Sequence, residues 1–86
     1  QNYPNPFSQN TTIEFELEET KEVKIMIFDL SGNRIRSLIN EQYPAGGFSI
    51  SWDGTNDQGA KLPTGIYFYV LTANGQKVSK KMIYAR

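Results

Sequence analysis

Short stretches in which apolar and polar residues alternate run through this 86-residue chain. The clearest lies in residues 46–54, where Phe48, Ile50 and Trp52 alternate with serines between a Gly pair and an Asp-Gly pair. A period of two places alternate side chains on opposite faces of a strand, so one face is predicted to be buried and the other solvated. Glycine and aspartate favour turns, which are predicted to bound this strand at both ends.

Five further segments have strand patterns, and they span residues 12–17, 23–28, 34–39, 66–71 and 77–84. Alternation is poor over 34–39, where only the hairpin spacing to the previous strand favours a strand over a helical turn. The unbroken apolar run 66–71 predicts a central strand with both faces covered. Asn74-Gly75 predicts a two-residue hairpin. Together with an N-terminal segment, this predicts an all-β fold, an immunoglobulin-like antiparallel β-sandwich of about seven strands.

The N-terminal segment reads Asn-Tyr-Pro-Asn-Pro-Phe over residues 2–7. Pro4 and Pro6 lack a backbone N–H, so the segment is predicted to be an edge or lead-in piece that covers one sheet edge. Tyr3 and Phe7 are expected to anchor it on the domain. A polyproline-type binding motif is the alternative, although two prolines are too few to define one.

Residues 65–69 have the spacing of a tyrosine corner, in which a Tyr hydroxyl binds the backbone a few residues upstream. That interpretation directs Tyr67, Tyr69 and Leu71 into the core. Periodicity alone allows the opposite register as well, because every residue of the run is apolar.

Composition excludes several classes of function. The chain has nine basic and nine acidic residues, so its net charge gives no reason to expect nucleic-acid binding. It has no cysteine and no histidine, which removes disulfides, the commonest general base and the commonest metal ligand. No apolar run approaches the roughly 20 residues of a membrane helix. We therefore expect a protein that is not an enzyme, needs no cofactor and does not insert into a membrane.

Asp53, Asn56 and Asp57 are the candidate metal ligands, because calcium prefers oxygen donors. Their spacing fails the EF-hand pattern, since Thr55 and Gln58 stand where an acidic or amide side chain and a glycine are required. Turn formation through side-chain–backbone hydrogen bonds is the favoured interpretation of these residues.

Aromatic side chains provide a second candidate, a platform on which a sugar could stack. Its members would be drawn from Tyr43, Trp52, Tyr67, Phe68, Tyr69 and Tyr84. Trp52 shares a strand face with Phe48 and Ile50, which favours a place in the core.

Positive charge is concentrated near the end of the chain, at Lys77, Lys80, Lys81 and Arg86. One interpretation is a solvated face or pairing with the glutamates between residues 14 and 22, and lysines also protect an edge strand from aggregation. The other interpretation is a basic segment that a partner recognises.

Five motifs in order indicate a known family. They are Tyr-Pro-Asn-Pro-Phe at 3–7, Ile-Phe-Asp-Leu-Ser-Gly at 27–32, Gly47 with Trp-Asp-Gly at 52–54, Gly-Ile-Tyr-Phe-Tyr at 65–69 and Lys-Lys-Met at 80–82. In these the chain resembles the type A C-terminal sorting domain of the type IX (Por) secretion system, a relative of the Ig-like repeats of the flagellar hook-capping protein.

The resemblance implies that residues 1–86 are a single Ig-like sorting domain, a fragment of a longer exported protein with a cargo domain upstream. Its implied function is to direct that cargo across the outer membrane. The implied partners are the outer-membrane translocon and the cell-surface attachment machinery, and the implied location is the periplasm in transit and then the cell surface or medium. Recognition maps onto Lys77, Lys80, Lys81, Met82 and Arg86.

A structural spacer, or an adhesive or carbohydrate-binding module of a surface protein, is the alternative function. The lysine-rich last strand favours sorting over the spacer. Val70 departs from the family pattern, because sorting domains often have a basic residue at this position.

Overall fold

The computed structural model describes residues 2–85, which form seven strands and no helix. The strands are β1 (Asn2–Tyr3), β2 (Thr11–Leu17), β3 (Lys21–Asp29), β4 (Arg34–Tyr43), β5 (Gly46–Trp52), β6 (Gly65–Ala73) and β7 (Gln76–Tyr84). Two antiparallel sheets, ordered β1-β2-β5 and β4-β3-β6-β7, pack on a shared core. The predicted all-β, Ig-like sandwich is therefore confirmed. The described part of the chain has no helix long and apolar enough to span a membrane.

The core lies between the two sheets and is rich in aromatic rings. Its buried residues are Phe7, Ile13, Ile25, Ile27, Trp52, Tyr67, Tyr69, Met82 and Tyr84. Trp52 is 1% exposed and lies 5.6 Å from Phe7 and 5.8 Å from Tyr67, measured between ring centroids. Its indole N–H donates to the Thr55 carbonyl oxygen at 2.9 Å, so the one polar atom of the ring is satisfied. The prediction that β5 supplies core residues is confirmed.

The register of β6 is the one that the tyrosine corner requires. Tyr67 and Tyr69 are buried, and Leu71 packs against the core. The Tyr67 hydroxyl donates to the Pro63 carbonyl oxygen at 2.6 Å, four residues upstream. This bond ties the loop before β6 to the strand and confirms the interpretation of residues 65–69.

The outer side of β6 differs from the expectation. The apolar run predicted that both faces are covered, yet Ile66 is 37% exposed and Phe68 and Val70 are only half-buried. Nothing in residues 2–85 packs over this face, because the second sheet lies on the opposite side. The prediction is therefore wrong for the outer face, although β6 is an internal strand of its sheet.

The fourth strand is confirmed and is longer than predicted, since it runs to Tyr43. Its pairing with β3 shifts register between Ile25 and Met26 and again between Ile27 and Phe28. Such bulges change which side chains face the core. They explain why strict alternation fails over residues 34–39, where Ile35, Leu38 and Ile39 all pack on the core.

The β6–β7 hairpin turns at Asn74 and Gly75, whose φ angles are 52° and 83°. A two-residue turn of this kind needs φ > 0 at both positions, which Asn and Gly tolerate best. The predicted hairpin is confirmed, and it sets the pairing of β7 with β6 from Gly65↔Tyr84 to Ala73↔Gln76.

Two tyrosines of β6 provide a matched test of the core. Tyr67→Phe should lower the free energy of unfolding by about 0.5–1.5 kcal/mol, because it removes the bond to Pro63. Tyr69→Phe should leave stability unchanged or slightly higher, since the buried Tyr69 hydroxyl has no partner within residues 2–85. Urea unfolding of both variants measures the difference, and equal losses would contradict this assignment of roles.

Gly54 ends the turn after β5 and lies directly under a ring of the last strand. Its φ is +77°, and a Cβ placed there would lie 2.6 Å from the Cζ atom of Tyr84. Glycine is therefore required twice, for its backbone conformation and for the close approach of the ring.

Gly54→Ala and Gly59→Ala separate these two requirements. Gly59 has φ +83°, and no atom lies within 4 Å of the position that a Cβ would take, so its substitution should cost only the conformational strain of about 1–2 kcal/mol. Gly54→Ala should cost about 1–3 kcal/mol more, because the core must also move away from the new methyl group. Chemical denaturation measures both losses; similar losses would mean that Tyr84 relaxes freely.

Candidate functional site on the last strand

The last strand, β7, is one edge of the four-stranded sheet; it pairs with β6 along its length, and Tyr84 near its end also forms a parallel bridge with Phe7. Residues 76–81 are exposed. Lys77 and Lys81 share the outer face, opposite Thr72 and Phe68, whereas Lys80 lies opposite Tyr69 on the other face. The three lysines therefore surround a free edge.

These lysines are solvated. Across residues 2–85, none of the ammonium groups of Lys77, Lys80 and Lys81 has an ion-pair or side-chain hydrogen-bond partner. Glu14 and Glu16 lie on β2 in the other sheet and are not cross-strand neighbours of β7. Of the interpretations considered for this charge, cross-strand pairing with these glutamates is excluded; a solvated, edge-protecting surface and a segment that a partner recognises both remain.

Two members of the predicted recognition set fall outside this surface. Met82 is 0% exposed, because its side chain points into the core opposite Tyr67. It cannot contact a partner of the folded domain, and we correct the set accordingly. Arg86 lies outside the described residues.

The N-terminal segment, residues 2–7, packs along the last part of β7 and is called the strap below. Phe7 N–H donates to Ile83 O at 3.0 Å, and Ala85 N–H donates to Phe7 O at 2.9 Å. The Asn5 side chain accepts from Ile83 N–H at 2.8 Å and donates to Lys81 O at 3.1 Å. The interpretation of this segment as the cover of a sheet edge is confirmed. Phe7 is buried in the core as expected, but Tyr3 is 55% exposed, so only Phe7 is the buried anchor that was predicted.

Asn5 is a site-positioning residue that the pattern analysis did not single out. Its amide group contacts the edge as a peptide group would, at the place where the flanking prolines cannot donate. An Asn between two prolines beside a sheet edge is the signal that could have identified it.

A groove of about 360 Å³ separates the strap from the lysines. It is lined by Asn2, Tyr3, Asn5, Lys80 and Lys81. Its charged groups are the two ammonium groups, and the Tyr3 hydroxyl donates to the Glu14 carboxylate at 3.1 Å. That hydrogen bond is the main cause that raises the pKa of Tyr3 above its ordinary value.

The three candidate metal ligands accept hydrogen bonds from the protein itself, two of them within the loop and one from β4. Asn56 Oδ1 accepts from Gln58 N–H and Ala60 N–H, both at 3.0 Å. Asp57 Oδ1 accepts from Ser37 N–H at 2.9 Å, and Asp53 Oδ1 accepts from the Thr55 hydroxyl. The oxygens thus bind separate groups. The turn-forming interpretation is confirmed for Asn56, whereas Asp53 accepts from a side chain and Asp57 accepts from the backbone of β4.

Arg36 joins this loop to β4, which the sequence did not indicate. Its guanidinium donates to Thr55 Oγ1 at 2.6 Å and to Asn56 O at 3.2 Å. Together with the indole of Trp52, which donates to Thr55 O, it holds the loop against the sandwich. The role of Asp53, Thr55 and Asn56 is therefore structural.

The aromatic platform is not assembled on the surface. Trp52, Tyr67, Tyr69 and Tyr84 are buried in the core. Tyr43 packs edge-on against Phe15 and Phe48, at centroid distances of 5.5 Å and 4.9 Å. Phe68 is half-buried on the outer face of the four-stranded sheet, so the six rings do not form one stacking surface.

The hydrogen bonding of Asp53, in the loop after β5, predicts that the stability of the domain depends on pH. The pKa of Asp53 lies below its ordinary value, chiefly because the Thr55 hydroxyl donates to it. Near pH 4 the unfolded chain therefore binds more protons than the folded chain. The contribution of Asp53 to the free energy of unfolding is present above about pH 4 and is lost as the pH falls through the lowered pKa. Asp53→Asn should reduce the drop in Tm between pH 6 and pH 3, measured by circular dichroism. A drop equal to that of the wild type would contradict the assignment.

Comparison with known proteins gives two kinds of similarity. A family model described as FlgD Ig-like domain matches residues 4–77. No curated relative matches the chain in sequence.

Two solved structures are similar to it. Dimeric latent PorU from Porphyromonas gingivalis matches 99% of this chain with a TM-score of 0.81 and 25% identity. FlgD from P. aeruginosa matches 86% of it with a TM-score of 0.66 and 23% identity, which shows the fold alone. The chain spans 9% of the PorU chain and 59% of the FlgD chain.

Proposed function

This chain belongs to the FlgD Ig-like domain family, and we propose that within it the chain is a non-catalytic C-terminal sorting and anchoring module. It directs a fused cargo protein across the outer membrane by the type IX secretion system. The observation that carries the proposal is the similarity of almost the whole chain to one part of PorU, a type IX system protein.

The last strand supports the proposal. Lys77, Lys80 and Lys81 are exposed and unpaired at an edge, and the strap holds that edge in place through Asn5 and Phe7. When a carboxylate of a partner meets such an unpaired ammonium group, the complementary charges orient the two proteins and discriminate against other partners. A module that is recognised as a folded unit needs such a fixed arrangement of charges.

The partners in this proposal are the outer-membrane translocon, the cell-surface attachment machinery and the cargo domain of the same chain. The location follows: the protein is exported, passes through the periplasm and reaches the cell surface or the medium. No catalytic residue or cofactor is assigned, and the lysines act by recognition alone.

A structural Ig-like spacer is the second candidate. The match to the FlgD Ig-like domain model favours it, because that match covers most of the sandwich without requiring the lysines after residue 77. The two candidates differ in the role of the β7 lysines. A sorting module needs their positive charge, whereas a spacer tolerates its replacement by negative charge.

A reporter fusion distinguishes them. Residues 1–86 are fused to a periplasmic reporter in a host with a type IX system, and surface reporter is quantified by protease accessibility. The double variant Lys80→Glu, Lys81→Glu should lower surface reporter at least about tenfold with an unchanged Tm, because both side chains are exposed. Point substitutions are sharper than truncation here, since the end of β7 contains buried Met82 and Tyr84.

Glu18→Gln, Glu19→Gln is the control, as both residues are exposed in the turn between β2 and β3 and belong neither to β7 nor to the strap. It should export normally. A wild-type fusion that stays in the periplasm would overturn the sorting function. Normal export of the lysine variant would remove Lys80 and Lys81 from recognition.

A further inference from the structure

The outer face of the four-stranded sheet carries a continuous apolar surface, which we call the outer patch. It consists of Met26, Phe28, Ile66, Phe68, Val70 and Ile83. The strand register places Met26 opposite Val70, Phe28 opposite Phe68 and Ile66 opposite Ile83. Ile66 and Ile83 are 37% and 36% exposed, and the other four are half-buried.

One end of the outer patch is concave. A groove of about 300 Å³ lies beside the turn after β3, and Phe28, Phe68 and Val70 line it together with Ser79. Leu30, which is 69% exposed, stands at its rim. Exposed apolar side chains around a shallow groove are typical of protein interaction sites.

The other sheet shows that this face is unusual within the same molecule. The outward side chains of β2 are Thr12, Glu14 and Glu16, and those of β5 include Ser49 and Ser51. One outer face is thus polar and acidic, whereas the other is apolar, although both belong to one small domain.

Charge around the outer patch is mainly positive. Lys24 and Lys77 lie beyond its Met26–Val70 row, and Lys81 and Arg34 stand opposite Phe68 and Phe28 in the register. All four cations are exposed. Glu22 stands farther along β3, and the Asp29 carboxylate is occupied by the backbone N–H groups of Ser31 and Asn33.

We propose that the outer patch docks a protein segment whose apolar side chains are flanked by aspartate or glutamate. The apolar centre would bury the partner's hydrophobic side chains, and the surrounding cations would meet its carboxylates. Charge complementarity favours this occupant over a neutral apolar segment. The inference rests on the proposed function only for the choice of host in which the partner is sought.

Site-specific photo-crosslinking tests it in the full reporter fusion. Benzoylphenylalanine replaces Ser79, which lines the groove and is exposed, and in a matched fusion it replaces Ser51, exposed on the outer face of the other sheet. After irradiation in the type IX host, adducts are mapped by mass spectrometry. We expect at least tenfold more protein adduct from position 79, on a segment with acidic residues beside the linked apolar residue.

Two further variants test the chemistry of the contact. Lys24→Glu, Lys77→Glu should lower the position-79 adduct at least tenfold, because it reverses two exposed charges at the rim. Val70→Thr should also lower it, while it keeps a β-branched residue in β6. Melting curves check that both variants fold.

The remaining outcomes overturn the docking proposal. They are equal adducts from positions 79 and 51, no adduct from either, an adduct with a second copy of this chain, an adduct with lipid, and a partner segment without acidic residues. Export is read separately from the same cells. Normal export without the adduct overturns the docking proposal and leaves the sorting function intact. A position-79 adduct on an acidic segment without export supports docking and overturns the sorting function.

Discussion

The packing of Phe7, Trp52 and Tyr84 is the interaction on which the rest of this structure depends. Phe7 stacks on Tyr84 with centroids 4.9 Å apart and lies 5.6 Å from Trp52. These rings come from the strap, from the three-stranded sheet and from the last strand of the other sheet. One cluster therefore joins both sheets and both ends of the described chain. Gly54 is part of the same arrangement, because any side chain there would occupy the space of the Tyr84 ring.

That cluster also determines where recognition can occur. With Met82 and Tyr84 directed into the core, the alternation of β7 leaves Lys77, Lys81 and Ile83 on the outer face. The strap then covers the end of the edge and leaves the lysines free. The exposed lysines of β7, the groove between them and the strap, and the outer patch thus all follow from the register in which β7 pairs with β6. They form adjoining surfaces of a single sheet, which is a suitable basis for recognition of a folded unit.

The candidate site was only partly predictable, and the reasons differ by residue. The exposure of the lysines followed from their charge, because an unpaired ammonium is costly to bury. Met82 entered the recognition set because the family resemblance implies recognition by the last strand as a whole, yet a strand alternates faces and this position points inward. Asn5 and Arg36 were missed because their hydrogen-bond partners are distant in sequence. Asn56 followed the ordinary chemistry of turns, which is local and therefore readable, whereas the bond from Ser37 N–H to Asp57 reaches across to β4 and was not.

The sequence by itself determined the strands, the hairpin at Asn74-Gly75, the tyrosine corner and the sandwich class, because these depend on period-two patterning and on residues with special backbone preferences. Only the tertiary structure decided which face of β6 is covered. An unbroken apolar run is compatible with burial on both sides, and whether a second layer exists on each side depends on how many sheets the whole chain builds. The residues that the structure describes build two, so one face of β6 packs on the core and the other, with Ile66, Phe68 and Val70, faces outward.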